Sequence, residues 1–193
     1  MVKGTRYPPQ VLSRAEVEAL MRACGRSRTG LRNCALLVLL HRGGMRLGEA
    51  LELRPAQVDW DAGDVRVLHG KGDEARTTSV GRAGLAVLRE WHDARSELEL
   101  PTDAPLICTL AGTKVKHQYV VTMLGRLAAR ACVEKRVHAH GLRHTFAHEL
   151  NAEGARPTDI RDLLGHRSLA TTDAYLRALG ASQAVEFARS RGR

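Results

Sequence analysis

At 193 residues the chain is long enough to bury one good core without disulfide or metal staples. Its four cysteines (Cys24, Cys34, Cys108 and Cys132) form no C-x-x-C pair, no stretch reads as a signal peptide, and the apolar run Ala35–Leu40 is far too short to span a bilayer. Those features argue against a disulfide framework, a zinc ribbon, a secreted domain and a membrane span. They predict a soluble cytoplasmic protein with reduced thiols. The formal charge of +9 and the pI near 10 come mostly from arginine. Such an excess fits a polyanionic partner bound through phosphate contacts, and a coding bias toward Arg and Ala would leave the same mark.

The first eleven residues are basic and carry Tyr7-Pro8-Pro9, the pattern of an arm or linker. Ser13 and Glu16 then make an S-x-x-E capping box. Val17, Leu20, Met21 and Cys24 follow at i, i+3, i+4, i+7, which predicts an amphipathic helix. The segment Gly25 to Gly30 breaks it, and Leu31 opens a second helix containing the core run ALLVLL. Gly43-Gly44 interrupts that helix before a third, Met45 to Leu51, with Pro55 beyond its end. From Val58 to Val80 the period changes to short β-rich runs with turns at Asp61–Asp64 and Gly70–Glu74, which predicts a three-stranded antiparallel meander. Arg82 to Leu98 reads as a helix with Leu85, Leu88 and Trp91 inward. After a connection and the short buried piece Pro105–Cys108, Lys114, Lys116 and His117 precede a long helix with Val120, Val121, Leu124, Leu127, Ala128 and Ala131 inward. Helices are further expected over Thr145–Ala152, ending at Gly154, and over Arg156–Leu164. Residues 181–193 form a small amphipathic tail with a basic end.

The chemistry gathers between His138 and Tyr175. Tyrosine is a poor nucleophile at neutral pH, with a pKa of about 10. It becomes useful when fixed cations hold a phosphodiester and a nearby base takes the proton. Arg143 supplies a planar fork for two phosphate oxygens, and His140 and His166 can donate or accept protons near neutral pH. His140, His144 and His148 stand at i, i+4, i+8, a spacing that also suits a metal. No H-E-x-x-H is present, however, because Glu149 follows His148 directly, and no metal site is expected.

HGLRH, then LGHR, then Tyr175 nine residues after His166 resembles the carboxy-terminal signature of the tyrosine recombinase (phage integrase) family. Upstream, G-x-R-x-x-E-x-L from Gly44 to Leu51 resembles the family's first arginine box, and Gly70-Lys71-Gly72 its β-hairpin lysine, although GKGD is also an ordinary polar turn. The resemblance implies a mostly α fold with a small three-stranded antiparallel β-sheet at one edge. It divides the chain into an arm (1–11), a catalytic domain (12–180) and a tail helix (181–193) that docks in a neighbouring subunit or folds back.

The implied activity is DNA cutting and rejoining through a 3′-phosphotyrosine link. By resemblance Tyr175 is the nucleophile, Arg46, Arg143 and His166 stabilise the pentavalent phosphate, His140 handles the tyrosine proton, and Lys71 protonates the leaving 5′-oxygen. Glu49 would hold Arg46 and His144 would pack beneath the site. Lys114, Lys116 and Arg167 are candidates for contact with the DNA backbone; Arg167 stands where the family usually has a small residue, and the two lysines read equally as solvated charge. The resemblance implies neither metal nor nucleotide. Its implied partners are double-stranded DNA, further copies in a tetramer on DNA, and a separate DNA-binding domain or accessory protein, since only the arm precedes the catalytic fold here. The alternatives are a type IB topoisomerase-like relaxing enzyme, or a catalytically idle DNA-binding remnant.

Overall fold

The structure is a computed structural model that describes residues 10–68 and 75–165. Its elements run α1 (Arg14–Ala23), α2 (Arg28–His41), α3 (Leu47–Glu52), a 3-10 turn (Pro55–Gln57), β1 (Asp64–Val67), β2 (Arg76–Ser79), α4 (Gly81–Ser96), α5 (His117–Arg130), α6 (Ala139–Ala152) and α7 (Pro157–Leu164). The fold is mostly helical, as expected. None of these helices is long and apolar enough to cross a membrane.

Helix α1 starts where the capping box places it. Ser13 Oγ accepts from the Glu16 amide at 3.2 Å, and the Glu16 carboxylate accepts from the Ser13 amide at 2.6 Å. Helix α2 is buried on nearly every side, from Ala35 through Leu40, the pattern of a helix at the centre of a core rather than on its surface. It packs against α4, α6 and α3, while α1 packs against α5. Leu85, Leu88 and Trp91 point inward from α4 as read, and the Trp91 indole N–H donates to Leu106 O at 2.8 Å. Helix α5 turns a slightly different face: Val120, Met123, Leu124 and Leu127 are buried, whereas Val121 is 61% exposed. The i, i+3, i+4, i+7 stripe runs through Met123 and leaves Val121 outside it.

Two further expectations need correction. Among the described residues the sheet has two strands, paired antiparallel with Val65 opposite Thr78 and Val67 opposite Arg76. Val58 joins only through a single bridge to Val65. The reason is Asp59, whose carboxylate accepts from the Asp61 and Ala62 amides at 2.9 Å while its carbonyl accepts from Gly63. This turn starts one residue after the bridge, and the residues before it that would extend the ladder form the 3-10 turn Pro55–Gln57, so no third strand runs alongside β1. The second correction concerns α6, which begins at Ala139 rather than Thr145, so the whole HGLRH box is helical.

Candidate active site

The site grows from the turn between α2 and α3. Gly44 has a positive φ of 56°, and a side chain there would run into the Phe146 ring, so glycine satisfies both the backbone and the packing. The turn delivers Arg46 to the position just before α3, with extended backbone angles. Glu49, in the first turn of α3, reaches back: its Oε2 accepts from the Arg46 amide at 2.8 Å and its Oε1 from Arg46 Nη1 at 2.8 Å. The same carboxylate receives a fork from β2, with Arg76 Nη1 on Oε1 at 2.9 Å and Nη2 on Oε2 at 2.6 Å. Four N–H donors thus meet one carboxylate whose side chain is 5% exposed. Burial alone would raise the Glu49 pKa. The Arg76 hydrogen bonds, the Arg46 amide and the two guanidinium charges outweigh it and hold the carboxyl below its ordinary range.

Arg143, on α6, is 2% exposed and donates to Gly44 O through Nη1 and to Leu164 O through Nη2, the latter at 2.5 Å. Arg46 Nη2 donates to Gly165 O at 2.9 Å, and Arg76 Nε to Leu163 O at 3.0 Å. Three successive carbonyls at the end of α7 therefore each accept from a different arginine. Carbonyls left over at a helix C-terminus carry the negative end of the dipole, so cations gather there naturally. Gly165 closes the helix in the left-handed conformation (φ 63°, ψ 51°), and residue 166 follows directly in sequence.

His140 lies one turn before Arg143 on α6 and meets the buried His144 edge to face, with ring centroids 4.3 Å apart. Partial desolvation, then the positive charge of Arg143, His138 and Arg46, hold its pKa below the ordinary histidine value. Its imidazole is therefore neutral at pH 7, the state that accepts a proton. Among the described residues no group of three or more His, Cys, Asp or Glu is placed to hold a metal.

The described site thus brings together Arg46, Glu49, His140, Arg143 and His144. Lys114 lies apart, at 3.3 Å from Glu52 on the surface, and Lys116 precedes α5, exposed. Lys71, His166, Arg167 and Tyr175 lie outside the described residues. Sequence reasoning missed Arg76. In β2 it shares the inward face with buried Thr78, a face that the pairing with β1 decides.

A half-buried guanidinium from α3's entry and buried ones from β2 and α6, with a neutral imidazole beside them, define a class of site suited to an oxyanion held for attack. Comparison with known proteins narrows that class. The model of the phage integrase family matches residues 10–181, and the chain belongs to that family. It is 36% identical to tyrosine recombinase XerC of Xanthomonas axonopodis pv. citri over 90% of its own length and 55% of the relative's. It is 35% identical to XerC of Xylella fastidiosa over 90% of its length and 58% of the relative's. Its fold is similar to the crystal structure of XerA recombinase, with a TM-score of 0.81 and 27% identity over 94% of this chain and 66% of that one. It also resembles a XerH site-specific recombinase bound to palindromic difH substrate in a post-cleavage complex, with a TM-score of 0.78 and 28% identity over 95% of this chain and 53% of that one. The chain spans little more than half the length of the curated relatives it matches.

Proposed function

We propose that the chain is the catalytic domain of a site-specific DNA recombinase. The observation that carries this reading is the convergence of Arg46 and Arg143 on the carbonyls of Leu164 and Gly165, which directly precede the His166 box. In the proposed step the Tyr175 hydroxyl attacks the scissile phosphorus. A P–O bond to tyrosine forms, the bond to the 5′-oxygen breaks, and the 3′-phosphate remains on the enzyme. His140 accepts the tyrosine proton, in keeping with its lowered pKa, and Lys71 gives a proton to the leaving oxygen. Arg46, Arg143 and His166 hold the charge that builds on the non-bridging oxygens, and this electrostatic contribution is the largest of the step. The link conserves the phosphodiester energy, so reversal by a second 5′-hydroxyl rejoins the strand. His144 supports the ring of His140, and Lys114, Lys116 and Arg167 face the DNA backbone.

The wider reading is of a cytoplasmic, nucleoid-associated protein that works on duplex DNA as a tetramer. Residues 1–11 serve as an arm, 12–180 as the catalytic domain, and the tail 181–193 docks on a neighbour. A separate DNA-binding domain or accessory protein completes the grip.

The test uses nicked suicide duplexes, from which the short fragment bearing the free 5′-hydroxyl diffuses away, resolved on a denaturing gel. Wild type is expected to give a covalent protein–DNA band that Tyr175→Phe lacks. A band of equal strength in both, or DNA binding with no band at any site, contradicts the reading. Site-independent relaxation of supercoiled plasmid would favour a topoisomerase-like enzyme instead.

A further inference from the structure

Arg76 is a fully engaged charged side chain of the described site, and nothing in the proposed step uses it. It is 8% exposed, and its three donor nitrogens reach two elements. Nη1 and Nη2 fork onto Glu49, and Nε holds Leu163 O. Gly165 lies so close that a Cβ placed on it would be 2.9 Å from Arg76 Cδ. An ion pair of purely structural use would need only one partner of opposite charge. Here each partner is itself part of the site: Glu49 grips the backbone and guanidinium of Arg46, and the α7 end carries the chain into His166.

We propose that Arg76 is a positioning residue for strand cleavage, acting through Glu49 on Arg46 and through Leu163 on the segment that enters the His166 box. This rests on the cleavage reading given above. First, a bidentate guanidinium–carboxylate fork fixes orientation as well as distance, so Glu49 offers Arg46 a fixed seat. Second, Glu49 carries one negative charge against two guanidinium groups. With Arg76 in place the trio keeps a net positive charge toward a bound phosphate. Without it, Arg46 and Glu49 cancel, and the phosphate faces a neutral pair. Arg76 also opens β2, the strand that follows Lys71 in sequence, and so ties that strand to the arginine box and to α7.

The experiment compares wild type, Arg76→Gln and Arg76→Lys in single-turnover cleavage at saturating enzyme. Two suicide duplexes are used, one with the normal scissile phosphate and one with a neutral methylphosphonate there. Duplex affinity and thermal melting are followed in parallel. On the normal phosphate, Arg76→Gln is expected to cleave on the order of 10²-fold more slowly, the scale of a small misplacement of a reacting group, with affinity within about threefold of wild type. Arg76→Lys, which restores the charge without the fork, falls between the two.

On the methylphosphonate, which is neutral at rest and carries one negative charge fewer in the pentavalent transition state, the deficit of Arg76→Gln shrinks to about threefold or less. A structural defect would slow both substrates alike. An equal deficit on both substrates, or normal cleavage of the phosphate by Arg76→Gln, overturns the proposal while leaving the cleavage reading intact. A wild type that forms no adduct on either substrate overturns both. Should Arg76→Gln fail to fold, the same pair of rates measured on Arg76→Lys decides.

Discussion

The body of the molecule and the pair of helices α6 and α7 are held by different chemistry. From α1 to α5 the glue is apolar: Leu36 to Leu40, Leu88, Trp91, Leu106 and Leu124 belong to one continuous buried cluster. Between α6 and α7 the buried apolar cluster comprises Phe146, Ala147, Ile160 and Leu164, with Leu150 and Ala155 at its margin. Three guanidinium-to-carbonyl bonds at the end of α7 supplement it. The main core fixes where Arg46 and Arg143 stand. Those arginines, with Arg76, then fix where α7 ends. The groups proposed to grip the phosphate thus also fasten the helix that leads to His166 and Tyr175, and binding a phosphate there would bear on both.

If that contrast holds, damage to the first region should be global and damage to the second local. The largest effect is expected from Trp91→Ala, which empties a fully buried ring site and its bond to Leu106 O. It should lower global stability by about 4 kcal/mol, read from urea unfolding.

Next comes Glu49→Gln, which leaves two guanidinium groups without their shared anion and should cost roughly 3 kcal/mol at neutral pH. Because folding lowers the Glu49 pKa, its ionic contribution is fully present above the unfolded value of about 4.3. It is lost as pH falls through the lower folded value. The gap between wild type and mutant should therefore be full at pH 6 and close on acidification below pH 4. A gap that widens toward acid would contradict the assigned charge state.

Leu164→Ala should cost about 2 kcal/mol, since the small cluster around it can partly collapse. Amide exchange should accelerate in α6 and α7 while α2 and α4 keep their protection; uniform acceleration would erase the distinction between the two regions. The smallest effect belongs to Lys114→Ala. Its pair with Glu52 is exposed on both sides and should contribute less than about 1 kcal/mol to stability. Any loss of DNA affinity in that variant would then report a backbone contact rather than folding.

The parts of this architecture legible in sequence are those with local causes. Ser13 and Glu16 announce α1 because both halves of the cap lie within one turn, and ALLVLL announces a central helix because no surface helix tolerates such a run. The start of α6 carries no such signal. His138 precedes it without a side-chain cap, so the helix is fixed by packing and begins six residues before the expected start. The third strand fails for a local reason that was readable: Pro55 opens a 3-10 turn over the residues that would have continued the ladder.

In the site, Arg46, Glu49, His140, Arg143 and His144 were legible as motif positions, and the structure places them together. Arg76 was not, because its burial depends on Glu49 and Leu163, 27 and 87 residues away in sequence. No local pattern in RTTS distinguishes a buried arginine from a solvated one. Only its register opposite Val67 does.

The most direct test of the account is to map the covalent bond. The adduct trapped on a suicide duplex would be digested with nuclease and trypsin, and the modified peptide sequenced by mass spectrometry. The account predicts a nucleoside 3′-phosphate on Tyr175, within the peptide spanning residues 168–177. A phosphate linked to any other side chain, or through its 5′ end, would contradict it.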